Sequence, residues 1–204
     1  MLAKPHPSSR GAANLSPNAD GTTYSGTTVP VYTGRGSLVS STSWQWYPVP
    51  DSAKWGGFFK VAMPPVGTTY TTPMSGANVL IGCAGCAQNN KTKGYVAASV
   101  ELAVYRLNAA TAIGYCAVRM SSGVDLLEEH LYASTAVLTD SAPGSFKPED
   151  GITTSIPGAP TPANAAFTPT AIFSQGLTGT CDSSTGVAYL ACHLSVEKCT
   201  APAA

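Results

Sequence analysis

The sequence predicts an all-β protein, two antiparallel sheets packed face to face, and three observations carry that prediction. Short apolar or alternating runs are separated by clusters of Gly, Pro, Ser and Thr, with 20 glycines and 16 prolines in 204 residues. Strands punctuated in this way indicate a sandwich or barrel. Second, the stretch 187–198 alternates without a break: Ala188, Leu190, Cys192, Leu194 and Val196 fall on one face, Tyr189, Ala191, His193, Ser195 and Glu197 on the other. Period two with one apolar side marks a half-buried strand. At the usual rise it runs roughly 40 Å, and unpaired edges of that length are templates for aggregation. It therefore belongs inside a sheet, beside strands from earlier in the chain. Third, only 11% of residues are charged, against about a quarter in an ordinary globular domain.

Residues 1–35 read as a flexible N-terminal arm, with Pro5, Pro7, Gly11, Pro17, Gly21, Gly26 and Gly34 and few large apolar side chains. The first strand candidate is GSLVSSTSWQWYPV, followed by WGGFFKVAM and NVLIGCAG. In GYVAASVELAVYRL, Val100, Leu102 and Val104 alternate with Glu101, Ala103 and Tyr105; the turn NAAT then leads into AIGYCAVRM. GVDLLEEHLYAS places Leu127 and Leu131 at helical spacing and is expected as one short helix. TAVLTD and GITTSI are short strand candidates, a Pro-rich loop follows, and AIFSQGLTG precedes the terminal strand. About eight strands, one helix and long loops fit an eight-stranded double sheet of jelly-roll type over 36–204. Leu190, Leu194 and Val196 with Val100, Leu102 and Val104 are the expected core.

Charge excludes one broad class. Eleven basic residues balance eleven acidic ones, so no basic domain argues for strong nucleic-acid binding. The opening MLAKPHPSSRG lacks the apolar core of a signal peptide, and no run is long enough to span a membrane. The six cysteines are accordingly expected to be mostly reduced. No GxSxG, Walker A loop or dinucleotide fingerprint occurs, so no catalytic residue is assigned and an enzyme is not expected.

The remaining clusters have competing readings. CAGC, with Cys83 and Cys86, has zinc-knuckle spacing, but a site needs two further ligands and no second CxxC follows; a turn with two buried thiols is the plainer reading. Cys192 shares the apolar face of the terminal strand, and Cys181 and Cys199 flank it. Asp125, Glu128, Glu129 and His130 can form an acid–base cluster, the solvated face of the short helix, or, through Asp125, Glu128 and Glu129, a Ca²⁺ site completed by a neighbour's oxygens. Glu149 and Asp150 share that ambiguity. Trp44, Trp46 and Tyr47 of WQWY, with Trp55, Phe58 and Phe59, suit a sugar platform or, more commonly, core and subunit contacts. Asn14 and Asn90 stand in glycosylation sequons, discounted without a signal peptide.

AIFSQGLTGTCDSSTGVAYLACHLSVEKCTAP is similar to the end of small icosahedral plant RNA virus coat proteins, where a strand, a polar loop and a long alternating strand precede a Pro-containing tail. YVAASVELAVYRLNAATAIGYCAVRM resembles their paired middle strands. Size and element order suit the bromovirus, tymovirus and sobemovirus coats. The likeness covers residues 95–120 and 171–202; elsewhere only the order of elements agrees. The resemblance implies a structural capsid protein that assembles with many copies of itself in the host cytoplasm, becoming part of a virion around genomic RNA. In those coats the last strand lies centrally in the sandwich. One departure concerns the arm. Bromovirus and sobemovirus arms are Arg-rich, whereas here Lys4, Arg10 and Arg35 face only Asp20 for a small positive excess. These three are the RNA-contact candidates, yet too few to neutralise a genome; polyamines or Mg²⁺ would supply the remainder, as with the weakly charged tymovirus arms. The alternative is a phage decoration or fibre protein, or a secreted all-β glycan-binding module.

Overall fold

A computed structural model of the chain describes residues 9–16, 28–34, 37–49, 56–73, 76–86, 91–140, 151–153, 155–157, 168–177 and 186–198. They form twelve antiparallel strands: β1 (Ser9–Ser16), β2 (Thr28–Thr33), β3 (Ser37–Pro48), β4 (Gly57–Ala62), β5 (Thr69–Thr71), β6 (Leu80–Ala84), β7 (Tyr95–Arg106), β8 (Ala112–Met120), β9 (Val124–Ser134), β10 (Gly151–Thr153), β11 (Ala171–Gly176) and β12 (Val187–Lys198). A 3-10 turn spans Lys91–Lys93.

Two long strands organise the sandwich. One edge of β7 pairs with β8 along its length, and β8 continues to β11 and β10. The other edge is shared by β6 near its start and β5 near its end. β12 is built alike: β9 covers one edge, while β4 and β1 divide the other. The expectation that 187–198 lies inside a sheet is met. The two sheets join through β6–β1 and through β5–β2–β3–β4, so eight strands close into a continuous ring of ladders. On the opposite side β9 packs against β8 and β11 without a ladder among the described residues. Gly114 permits that approach, since a Cβ there would lie 2.7 Å from the Ala133 Cβ. Gln175 closes the seam by accepting the Ala133 N–H at 2.9 Å.

The core fills the space between the sheets. Val100, Leu102 and Val104 from β7 meet Leu190, Leu194 and Val196 from β12 with Trp44, Phe59 and Leu131, and all are buried. Both outer faces carry a second, smaller apolar layer. Ile156 covers Ala103, Tyr115, Ala117 and Ile172, and the Thr69 hydroxyl donates to the Pro157 carbonyl beside it. Burial first, and Tyr105 second, push the Tyr115 phenol up to about 12, so it stays neutral. Leu138 covers Val49, Phe58 and Ala191 on the other face, where Phe58 contacts Tyr47 and Tyr189 at ring separations of 5.8 and 5.7 Å.

Three expectations are corrected. Residues 124–134 are a strand, β9, and no α-helix occurs among the described residues. The β9–β12 register shifts between Ser195 and Val196, pairing Ser195 with Glu128 and Val196 with Leu126, which leaves Leu127 as the bulged residue. A bulge moves the period-two frame by one position. Leu126, Glu129, Leu131 and Ala133 then face inward while Leu127 is exposed, and the interrupted alternation imitates helical spacing. Strands β1 and β2 fall inside 1–35, and Ala13, Val29 and Val31 are core residues. The expectation of a flexible arm fails for those stretches; the other residues of 1–35, Gly34 apart, lie outside the described set. TAVLTD forms no strand beyond Ser134.

Candidate functional site

Two clusters of chemically active side chains stand back to back on β9 and β12. The outward one forms where His193 and His130 are direct cross-strand partners. Their rings lie 6.0 Å apart, and His130 Nε2 is 3.2 Å from Glu128 Oε1. His193 Nδ1 is buried and has no hydrogen-bond partner. Burial, then the neighbouring His130, hold His193 down at about 4, with Glu128 opposing them. His193 is therefore neutral near pH 7, and a proton arriving there meets both poor solvation and a second imidazole.

The inward cluster joins three strands. Cys116 of β8, Cys192 of β12 and Glu129 of β9 are buried, and one ligand atom from each lies within 4.8 Å of the others. Cys116 and Cys192 form a disulfide between the sheets, with 6.4 Å between Cα atoms. Cys192 Sγ is 3.2 Å from Glu129 Oε1. In the disulfide this is a sulfur–oxygen contact; in a reduced pair the same geometry lets the Cys192 thiol donate to the carboxylate.

The residues singled out from the sequence are scattered by the fold. The strand divides the Ca²⁺ set: Asp125 and Glu128 are exposed, whereas Glu129 is buried on the opposite face beside the disulfide. Cys83 and Cys86 form a disulfide with 5.6 Å between Cα atoms, and thiols locked to each other are not zinc ligands. The expectation of mostly reduced cysteines is likewise overturned for Cys83, Cys86, Cys116 and Cys192. Of the described members of that aromatic set, Trp44, Trp46 and Phe59 are core, whereas Phe58 belongs to an outer layer with Tyr47 packed against it. Arg10 lies on β1 opposite Glu197, and Asn14 opposite His193. Lys4, Arg35, Trp55, Asn90, Glu149, Asp150, Cys181 and Cys199 lie outside the described residues. The partnership of Cys116 with Glu129 and Cys192 escaped the sequence. Cys116 alternates with Gly114 and Val118 and is legible as inward-facing, but nothing local says which strand faces it. Among known proteins, no family model, no curated protein and no solved structure matches this chain.

Proposed function

We propose that this chain is a structural capsid protein, assembling from many copies into a closed shell around a viral RNA genome. The observation that carries the reading is the position of β12: the strand that resembles the last strand of small icosahedral coats is central, with both edges paired. The two segments that carry the resemblance supply β7 and β8 on one side of the core and β11 and β12 around it. Cohesion between copies comes from apolar surface. Leu38, Val66 and Leu107 are 49–59% exposed. Leu38 sits at the start of β3, and Val66 and Leu107 on the β4–β5 and β7–β8 connections, at the end of the sandwich where the Gly34 N–H donates to the Thr69 carbonyl and the Gly67 N–H to the Arg106 carbonyl. Apolar residues ringed by polar ones are the usual centre of a protein contact. Lys4, Arg10 and Arg35 contribute little to RNA binding, and cations from solution neutralise the genome.

Negative-stain microscopy of the purified protein tests this. Closed shells support it; monomers or trimers at all concentrations overturn it and favour the decoration, fibre or glycan-binding alternative. Sedimentation across a salt series with nuclease present adds a second check. Apolar contacts are insensitive to Debye screening, whereas many Lys/Arg–phosphate contacts weaken steeply with salt. Particles should survive high salt at neutral pH, and dissociation at moderate salt would point to genome charge as the cohesive force.

A further inference from the structure

We propose that Cys116, Cys192 and Glu129, once the disulfide is reduced, form a buried binding site for a thiophilic divalent cation of the Zn²⁺ class. Every inward position of β9 other than Glu129 is apolar: Val124, Leu126, Leu131 and Ala133. A carboxyl group in such a row is costly to bury, and it stands 5% exposed with its oxygen 3.2 Å from a cysteine sulfur. Two sulfurs and one oxygen, from strands on opposite sides of the core, converge within 4.8 Å. That donor set suits Zn²⁺ or Cd²⁺ and not the hard cations Ca²⁺ and Mg²⁺. The 6.4 Å between Cα atoms lies toward the wide end of the roughly 4.4–6.8 Å that disulfides span, so the sulfurs can part around an ion with small side-chain rotations. The seam between β9 and β11 is closed by side chains such as Gln175, with no ladder among the described residues, and is the route the proposal assigns to the ion.

The chemistry balances in two steps. A dithiol reductant supplies two electrons and two protons: the S–S bond breaks, two S–H bonds form, and the reductant closes to its own disulfide. The cation then displaces both thiol protons to water and bonds two thiolate sulfurs and one Glu129 oxygen, with a water in the fourth position. A small-molecule disulfide reverses this: it takes two electrons from the two thiolates and is itself reduced to thiols, the Cys116–Cys192 bond re-forms and the cation is released, so the redox state decides whether the site exists.

Cd²⁺ is the probe. In a chain carrying Cys83→Ala, Cys86→Ala, Cys181→Ala and Cys199→Ala, only the two inter-sheet thiols remain. After reduction, titration should raise the ultraviolet thiolate-to-cadmium band to a plateau at one ion per chain. The oxidised chain should give no band. Glu129→Gln should weaken binding at least tenfold while keeping the band, because the sulfurs remain. Should the background chain fail to fold, native mass spectrometry of the reduced natural chain replaces it. One cadmium should then disappear on Cys116→Ala with Cys192→Ala. A reduced chain with no band, an unchanged affinity in Glu129→Gln, or an unchanged cadmium count in the double variant overturns the proposal.

Discussion

Leu194 tests the packing of the sandwich more sharply than any other residue, because the structure names what lies against it. Its side chain is fully buried, and its Cδ1 lies 3.3 Å from the place a Cβ on Gly82 would occupy. Leu194→Ala removes three carbons. At ~0.8 kcal/mol per buried methylene the transfer loss is about 2.4 kcal/mol. The residual cavity adds ~24 cal/mol per Å³, which carries a poorly collapsing site to as much as ~5 kcal/mol. Gly82→Ala alone asks Leu194 Cδ1 to yield a few tenths of an ångström, a strain partly offset by the ~0.5–1 kcal/mol that Ala gains over Gly within a strand. Its net effect is small.

In combination the two substitutions stop being independent. The new methyl at Gly82→Ala enters space that Leu194→Ala has vacated, recovering ~0.8 kcal/mol of burial and relieving the strain. The double variant should therefore be about 1 kcal/mol more stable than the sum of the single effects. Urea unfolding followed by circular dichroism measures this, with an unchanged m-value and a fixed low concentration so that association does not enter. An additive cycle, within the ~0.3–0.5 kcal/mol expected of independent sites, would show that β12 does not present Leu194 to β6. A Leu194→Ala cost below about 1 kcal/mol would show that the wrong face has been placed inward.

Three further outcomes follow from the same geometry. His193 is depressed from 6.5 to about 4 by burial and by His130; its contribution is fully present above pH 6.5 and is lost as pH falls through that window, because the unfolded chain binds the extra proton. The slope of stability against pH between 4 and 6.5 should flatten in His193→Gln, and an unchanged slope would refute the assignment. In a chain carrying Cys83→Ala, Cys86→Ala, Cys181→Ala and Cys199→Ala, reducing Cys116–Cys192, which encloses a sequence separation of 76, should cost ~2–4 kcal/mol in urea unfolding without metal; adding Cys116→Ala with Cys192→Ala should abolish the response to reductant. Deleting residues 1–16 removes β1 from between β12 and β6, so hydrogen exchange at Val196 and Ile81 should accelerate and the melting temperature fall; a body as stable as the full chain would restore the reading of this stretch as a detachable arm.

How far the sequence disclosed this protein depended on whether its signals were local. β7, β8 and β12 were legible because alternation over twelve, nine and twelve residues exceeds what chance supplies, and all six expected core residues are fully buried. β9 was misread because one bulged residue, Leu127, breaks the phase, and the break depends on its partner β12. β1 was missed because SRGAANLS holds one large apolar residue, Leu15, too few for an alternating face to register. Small side chains suit a strand inserted between two others, where Gly11 and Ala13 face Val196 and Leu194. β5, with three residues, is too short for any periodicity to register. The candidate site was half legible. Cys192 was recognised as inward, and Glu129 was noticed, but only as a member of an exposed acidic group. Their meeting with Cys116 depends on a contact across the core.

The closure of the sheets also constrains how copies of this chain can meet. Both edges of β7 and β12 are paired, β6 and β5 are held between partners, and the far edge of β9 faces β8 and β11. Among the described strands, β10 ends the ladder path, and it has three residues. So short an edge offers little purchase for a strand from another molecule. On the proposed reading, copies of this chain would then associate through faces and connections and not through ladders extended from the described strands. That is the geometry a closed shell requires: ladder extension propagates along one direction and gives fibres, whereas several distinct side-chain surfaces on one rigid body can close in three dimensions. A sandwich stitched by ring ladders and an inter-sheet disulfide has that rigidity, and on the proposed reading the exposed apolar residues at one end would make the contacts.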